Sequence, residues 1–132
     1  MADRQKAPGR YIVISAILDL ALVLIFVLIG RRSHGESLSA SGIVQTFWPF
    51  LIGLLLGWLV TLAWREPTRI RWPGIPVWLV TVAAGMAFRA ASMQGVQLSF
   101  VIVTTVVLGV FLLGWRALAI PITRATARRR AA

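Results

Sequence analysis

The segment Tyr11–Gly30, YIVISAILDLALVLIFVLIG, constrains the fold most, because its only charged residue is Asp19, close to the middle. A helix rising about 1.5 Å per residue crosses a hydrocarbon core of about 30 Å in about 20 residues. The Ile, Leu, Val and Phe residues of this segment favour insertion by about 4–8 kcal/mol in sum, whereas a central aspartate opposes it by about 2.5–3.5 kcal/mol. We therefore predict a transmembrane helix that carries a carboxylate near the bilayer midplane.

The composition of the whole chain indicates a membrane protein. Of the 132 residues, 58% are hydrophobic and only 14% are charged, against about 25% charged residues in a typical soluble domain. The absence of cysteine excludes disulfides and thiolate metal sites. The net charge of +10 comes from Lys and Arg residues that lie between and after apolar segments. We expect these residues to contact anionic lipids of the bilayer and expect no nucleic-acid partner.

Three more apolar segments follow the first and make a chain of four spans. The predicted spans are 11–30, 43–64, 75–92 and 98–120, and they are followed by a basic tail over 121–132. The connections are polar and rich in Ser, Gly and Pro, as is typical of loops. We predict a single all-α domain over residues 1–132, an integral membrane bundle of four transmembrane helices arranged as two helical hairpins. Pro121 is expected to close the last span and leave the tail disordered or on the lipid surface.

The distribution of positive charge predicts the orientation. Of the 14 Lys and Arg residues, all but Arg31, Arg32 and Arg89 lie on the side that holds both termini and the 65–74 connection. Positive residues accumulate on the cytoplasmic side of multi-pass proteins. We therefore predict that the N and C termini are cytoplasmic.

A weak internal repeat has a constant offset of 57 residues. The segment LLLGW at 54–58 aligns with FLLGW at 111–115, and Arg32 aligns with Arg89. Both Gly-Trp pairs fall in the cytoplasmic half of their spans. One interpretation is a duplicated hairpin, and the other is chance similarity between leucine-rich helices.

Asp19 has two interpretations. Ionisable residues inside membrane spans often mark ion or proton pathways, which would make Asp19 a coupling or gating group. Alternatively, Asp19 forms a structural ion pair with Arg89 or Arg116, since either long side chain can extend along the membrane normal to reach it.

Small residues in the later spans predict close helix packing. The glycines concerned are Gly53, Gly57, Gly85 and Gly109. Small residues allow helices to approach within a membrane, and threonine hydroxyls bond across such interfaces. The alternative is that two rows of small and polar residues line a narrow polar pathway. These rows are Thr81, Gly85 and Arg89 in the third span and Thr105, Gly109 and Arg116 in the fourth.

The loop after the first span holds the densest polar cluster of the chain, Arg31, Arg32, His34 and Glu36. Two arginines on the non-cytoplasmic side require compensation by Glu36, by lipid phosphates or by an anionic ligand. His34 and Glu36 supply too few ligands for a metal site. No catalytic motif or cofactor motif is present, so we expect neither an enzyme nor a bound cofactor.

Several of these features together resemble one family. Asp19, FVLIGRRSHGE at 26–36, the Ser/Gly spacer and TFWPFLIGLLLGW at 46–58 look like the DUF3054 family of small four-helix prokaryotic membrane proteins. The resemblance covers nearly the full chain and implies a multi-pass protein of the bacterial inner membrane, with no activity to carry over. It makes the following positions the first to test: Asp19, Arg31, Arg32, His34, Gly35, Glu36, Trp48 and Pro49.

Two functional hypotheses follow. The first is a small transporter-like or channel-like protein in which Asp19 is the coupling or gating group and arginines lie at the mouths of the pathway. The second is an accessory or scaffold subunit of a larger membrane complex. Because four spans enclose little space, either hypothesis is compatible with a homo-oligomer or with a partner from a membrane complex.

Overall fold

A computed structural model describes residues 8–131 and is all-helical over that range. Its long helices are α1 (Gly9–Ser33), α2 (Ala40–Thr61), α3 (Ile75–Ala91) and α4 (Leu98–Ala131). Four helical segments, the third counted from Ile70, are long and apolar enough to cross a membrane. The predicted all-α fold with four spans is therefore confirmed. Most of the basic N-terminal lead, residues 1–7, lies outside the described residues.

The helices alternate in direction, and each packs against the next one in the chain, with the most extensive contact between α2 and α3. Helix α4 also returns to contact α1. We call the end that carries the connections 34–39 and 92–97 the loop end, and the opposite end, which carries residues 62–74, the terminal end. The cytoplasmic location of the terminal end stays a prediction.

Helix α1 ends three residues later than predicted, so Arg31 and Arg32 belong to its last turn instead of the loop. Gly35 has a positive φ of 68°, a backbone conformation that glycine adopts without strain. Its N–H donates to the carbonyl of Arg32 at 3.1 Å, and the N–H of Glu36 donates to that of Arg31 at 2.9 Å. This hydrogen-bond pattern is a Schellman motif, which satisfies the last carbonyls of the helix.

Helix α3 ends in the same way. Met93 takes the left-handed conformation, with φ 63°, and its N–H donates to the carbonyl of Ala90 at 3.2 Å. The N–H of Gln94 donates to the carbonyl of Arg89 at 2.8 Å. Arg31 and Arg89 therefore occupy equivalent positions, three residues before the C-cap of their helices. This equivalence differs from the alignment of the sequence repeat, which pairs Arg32 with Arg89.

Helix α2 is displaced towards the N terminus relative to the predicted span 43–64. It begins early because the hydroxyl of Ser39 accepts a hydrogen bond from the backbone N–H of Gly42 at 3.2 Å, which is an N-cap. It ends at Thr61 because Leu62 adopts a left-handed conformation, with φ 54°. Pro49 is buried within the helix, and the neighbouring Trp48 lies 6.0 Å from the ring of Phe88 in α3.

The prediction that Pro121 closes the fourth span is wrong, because α4 continues through Pro121 to Ala131. Proline removes one backbone hydrogen bond. The following residues TRATARRRA are rich in Ala and Arg, which are strong helix formers and sustain the helix. At about 1.5 Å per residue, the 34 residues of α4 span about 51 Å, well beyond a hydrocarbon core of about 30 Å. The basic tail is thus a helical extension at the terminal end.

Glycines allow α2 and α3 to approach each other closely. A Cβ atom added at Gly53 would lie 2.8 Å from the backbone oxygen of Thr81, and one at Gly57 would lie 3.1 Å from the Cα of Val77. In the opposite direction, a Cβ at Gly85 would lie 2.5 Å from the ring of Phe50. Gly109 takes a comparable place on α4, where an added Cβ would lie 2.9 Å from the indole of Trp78.

Replacing Gly53 with alanine is therefore expected to destabilise the protein by about 1–2 kcal/mol, because the overpacking penalty against an immobile backbone exceeds the gain in helix propensity. Gly114→Ala is the matched control, since an added Cβ there meets nothing within 4 Å. That change should be neutral or stabilise by up to about 1 kcal/mol. Thermal unfolding in detergent measures both variants, and equal shifts of the two would contradict the packing argument.

Candidate functional site

Asp19 and Arg116 form an ion pair between α1 and α4, and both side chains are fully buried, with 0% exposure. The two guanidinium nitrogens each donate to one carboxylate oxygen: Nη1 to Oδ1 at 2.8 Å and Nη2 to Oδ2 at 2.7 Å. This two-point geometry is the strongest form of arginine–carboxylate contact. Of the two arginines that the sequence allows as partners of Asp19, the structure brings Arg116 to it.

Two tryptophans complete the hydrogen bonding of the carboxylate. The indole Nε1 of Trp58 in α2 donates to Oδ2 at 2.8 Å, and that of Trp115 in α4 donates to Oδ1 at 2.7 Å. Each oxygen of Asp19 therefore accepts two hydrogen bonds, which uses the acceptor capacity of a carboxylate. The two tryptophans come from the two copies of the Gly-Trp repeat.

The guanidinium of Arg116 also binds two backbone carbonyls. Its Nε donates to the carbonyl of Pro67 at 3.0 Å, and its Nη1 donates to that of Leu112 at 2.8 Å. The guanidinium carbon lies 4.6 Å from the ring centre of Trp115, within the range of a cation–π interaction. One buried network thus joins α1, α2, α4 and the connection between α2 and α3 at the terminal half of the molecule.

Arg89 lies at the opposite end of the molecule from this network. Its Nη2 donates to the carbonyl of Gly95 at 2.9 Å, and its Nη1 donates to the side-chain oxygen of Gln94 at 3.2 Å. Its guanidinium carbon lies 4.4 Å from the ring centre of Phe100. Among the described residues, no carboxylate lies within salt-bridge distance of Arg89.

Arg31 makes an equivalent backbone contact at the end of α1 but differs from Arg89 in its side-chain partners. Its Nε donates to the carbonyl of Ser37 at 2.8 Å, six residues further on, just as Arg89 binds the carbonyl six residues after it. Its Nη1 also pairs with Glu36 at 2.9 Å and donates to the hydroxyl of Thr46 at 2.9 Å. Arg32 and His34 are exposed beside it. Of the predicted loop cluster, the structure therefore joins Arg31 and Glu36 by direct contact.

A cavity of about 740 Å³ opens at the loop end. Its polar side includes Arg31, Arg89, His34, Glu36, Gln45 and Gln97. Its apolar wall comes from α1 and α4 and includes Phe26, Val27, Val103 and Val107. A concave site of this size with an apolar wall and a few converging polar groups is typical of small-molecule sites.

A layer of fully buried apolar residues separates the cavity from the ion pair. Along α1, Val23 lies between Asp19 and the cavity residues Phe26 and Val27. Along α4, Leu108 and Leu112 lie between the cavity residue Val107 and Arg116, and all three layer residues are 0% exposed. The molecule is thus open at the loop end and closed at the terminal end.

Sequence reasoning did not select Trp58, Trp115 or Pro67 as site residues. The 57-residue repeat could have pointed to both tryptophans, because it places two indole donors at the same depth around a single intramembrane acid. The contribution of Pro67 is a backbone carbonyl, and side-chain patterns carry no information about it.

Comparison with known proteins is consistent with the resemblance noted in the sequence. A search of curated proteins and a search of solved structures found no match. The family model described as "Protein of unknown function (DUF3054)" matches residues 16–119, which contain the whole Asp19–Arg116 network and the loop-end cavity. The chain, with its four candidate membrane spans, belongs to the DUF3054 family.

Proposed function

We propose that this protein is a small, non-enzymatic transporter-like membrane protein in which the Asp19–Arg116 pair acts as a gate. The observation that carries the proposal is the asymmetry between the two ends. A cavity of about 740 Å³ opens at the loop end, and an apolar layer followed by a buried ion pair closes the terminal end. This arrangement matches one state of an alternating-access cycle.

The gate would open by separation of α1 and α4 at their terminal halves. These helices contact each other at the ion pair and together form the apolar wall of the cavity. Separation would expose both charges to water, which stabilises the ions individually and offsets part of the lost pairing. Because Asp19 has both oxygens fully bonded in the closed state, its role here is gating in preference to proton coupling.

One-sided cysteine labelling tests this proposal, and the cysteine-free chain suits it. In vesicles, Val107→Cys in the cavity is expected to react with a membrane-impermeant maleimide from the loop side only. Leu112→Cys in the apolar layer should react slowly from both sides in the wild-type background. In the Asp19→Asn background it should react from the terminal side, because the gate has lost its pairing.

The matched control is Val110→Cys, a lipid-facing position on the same helix with 64% exposure. It should stay unreactive in both backgrounds if the fold is kept. The proposal is overturned if Val107→Cys is unreactive from the loop side. It also fails if Leu112→Cys gains no reactivity from the terminal side when Asp19 is neutralised.

A second candidate function, an accessory subunit, is favoured by the helical extension of α4. The last eleven residues of α4 carry Arg124, Arg128, Arg129 and Arg130 on a helix that exceeds the thickness of the hydrocarbon core. Such a helix suits contact with anionic lipids or with an acidic partner subunit. Isolation of a stable complex, or of a homo-oligomer, that is lost on truncation after Pro121 would support this function. Both candidates assume a location in the bacterial inner membrane with cytoplasmic termini.

A further inference from the structure

We infer that the loop-end cavity binds an anionic amphiphile, with its phosphate or carboxylate head at Arg89 and its apolar body against α1 and α4. The inference names the ligand class of the transporter proposed above and rests on that function. Its support comes from the charge balance, the shape and the lateral opening of the cavity.

The charge balance favours a single negative charge on the ligand. The charged residues that line the cavity are Arg31, Glu36 and Arg89, with His34 beside them. Arg31 is neutralised by Glu36 at 2.9 Å. Arg89 hydrogen-bonds only to the neutral oxygens of Gly95 and Gln94 and forms no salt bridge among residues 8–131. Glu36 also acts on Arg89 electrostatically, so one carboxylate serves two arginines and the cavity keeps an excess of one positive charge.

The position of Arg89 suits a headgroup. The residue lies in the last turn of α3, at the level where a membrane span meets the polar interface. Its guanidinium is held by the carbonyl of Gly95 and by the ring of Phe100, 4.4 Å away. A held arginine binds a phosphate or carboxylate with less loss of side-chain entropy than a free one.

The apolar wall of the cavity indicates that the ligand has an apolar body. The wall residues Phe26 and Val27 are buried, whereas Ile29 on α1 and Val103 on α4, which also line the cavity, are each 54% exposed. In a membrane, these exposed positions face lipid chains, so the cavity has a lateral opening between α1 and α4. An amphiphile can enter through this opening without leaving the bilayer.

Binding titrations of the full-length protein in a neutral detergent test the inference. The probes are dihexanoyl phosphatidylglycerol as the lipid source, hexyl phosphate as the soluble source, dihexanoyl phosphatidylcholine and inorganic phosphate. We expect at least one anionic amphiphile to bind ten-fold more tightly than phosphatidylcholine and inorganic phosphate. Preference for phosphatidylglycerol identifies a lipid ligand, and preference for hexyl phosphate identifies a soluble one.

Arg89→Gln is expected to weaken the binding of the anionic amphiphile at least ten-fold. The matched control is Arg32→Gln, which removes the same charge from an exposed position at the same end and should change the affinity less than two-fold. Because Arg89 also holds the 92–97 connection, Val103→Phe serves as a second variant that fills the cavity and leaves the arginine intact. It too should weaken binding of the amphiphile.

Three results would overturn the inference: no preference for the anionic amphiphiles over phosphatidylcholine, inorganic phosphate binding as tightly as the amphiphiles, or equal losses in Arg89→Gln and Arg32→Gln. The binding assay does not require the gate to move. If the amphiphile binds but the cysteines show no one-sided labelling, the ligand assignment stands and the transporter proposal is rejected. If the labelling is one-sided but no amphiphile binds, only the ligand assignment is rejected.

Discussion

Replacing Asp19 with asparagine is expected to lower the free energy of unfolding by about 3–5 kcal/mol, the largest effect of any single change proposed for this chain. The substitution leaves Arg116 charged and 0% exposed, without its carboxylate partner. Water cannot compensate a charge at that depth, and the guanidinium keeps only neutral contacts, the backbone carbonyls of Pro67 and Leu112 and the ring of Trp115. Denaturant unfolding of the purified protein in detergent measures the loss.

Glu66→Gln is the control, because Glu66 pairs with Arg69 at 2.8 Å, a distance close to that of the buried pair, but the two side chains are 36% and 64% exposed. That change should cost less than about 1 kcal/mol. The double variant Asp19→Leu/Arg116→Met should recover much of the loss, since it removes both buried charges together. Additive losses in the double variant, or a cost below about 1 kcal/mol for Asp19→Asn, would show that the pair is not what holds α1 to α4.

Trp58→Phe and Trp115→Phe are expected to cost about 1.5–3 kcal/mol each, because each removes one hydrogen bond to a buried charged group. The two indoles donate to different oxygens of Asp19, at 2.8 and 2.7 Å, so the losses should be similar. The repeat is the reason for this expectation, because it places one tryptophan of each hairpin against the same carboxylate. Denaturant unfolding again gives the values.

Trp64→Phe is the matched control for the tryptophan variants. Trp64 is 39% exposed, and its indole N–H has no hydrogen-bond partner in the part of the chain that the structure describes. Its replacement should cost less than about 1 kcal/mol. If Trp58→Phe and Trp115→Phe cost no more than this control, the indole hydrogen bonds contribute nothing net to the network. In the Asp19→Asn background, the tryptophan variants should cost less than in the wild type, since the charged acceptor is gone.

The sequence by itself determined the class of the protein, the number of spans and the approximate bounds of α3. These follow from the length and hydropathy of each segment. Insertion of a segment into an apolar medium depends on its own residues and does not require knowledge of the helices beside it. The remaining helix bounds were set by local interactions, namely caps, turns and helix propensity. The sequence contains these signals, but a hydropathy pattern does not detect them. The cap at Ser39 shifted the start of α2, Gly35 set the turn after α1, and the helix-forming tail carried α4 past Pro121.

Only the tertiary structure decided which charges meet. From depth alone, Asp19 could reach either Arg89 or Arg116, because depth along the membrane normal says nothing about which helices are adjacent. Packing of α4 against α1 brings Arg116 to Asp19 and leaves Arg89 at the rim of the loop-end cavity. The same packing brings the indole N–H groups of Trp58 and Trp115 to the buried carboxylate as hydrogen-bond donors. Pairwise contacts between distant segments depend on helix order and rotation, and these are properties of the folded assembly and not of any one segment.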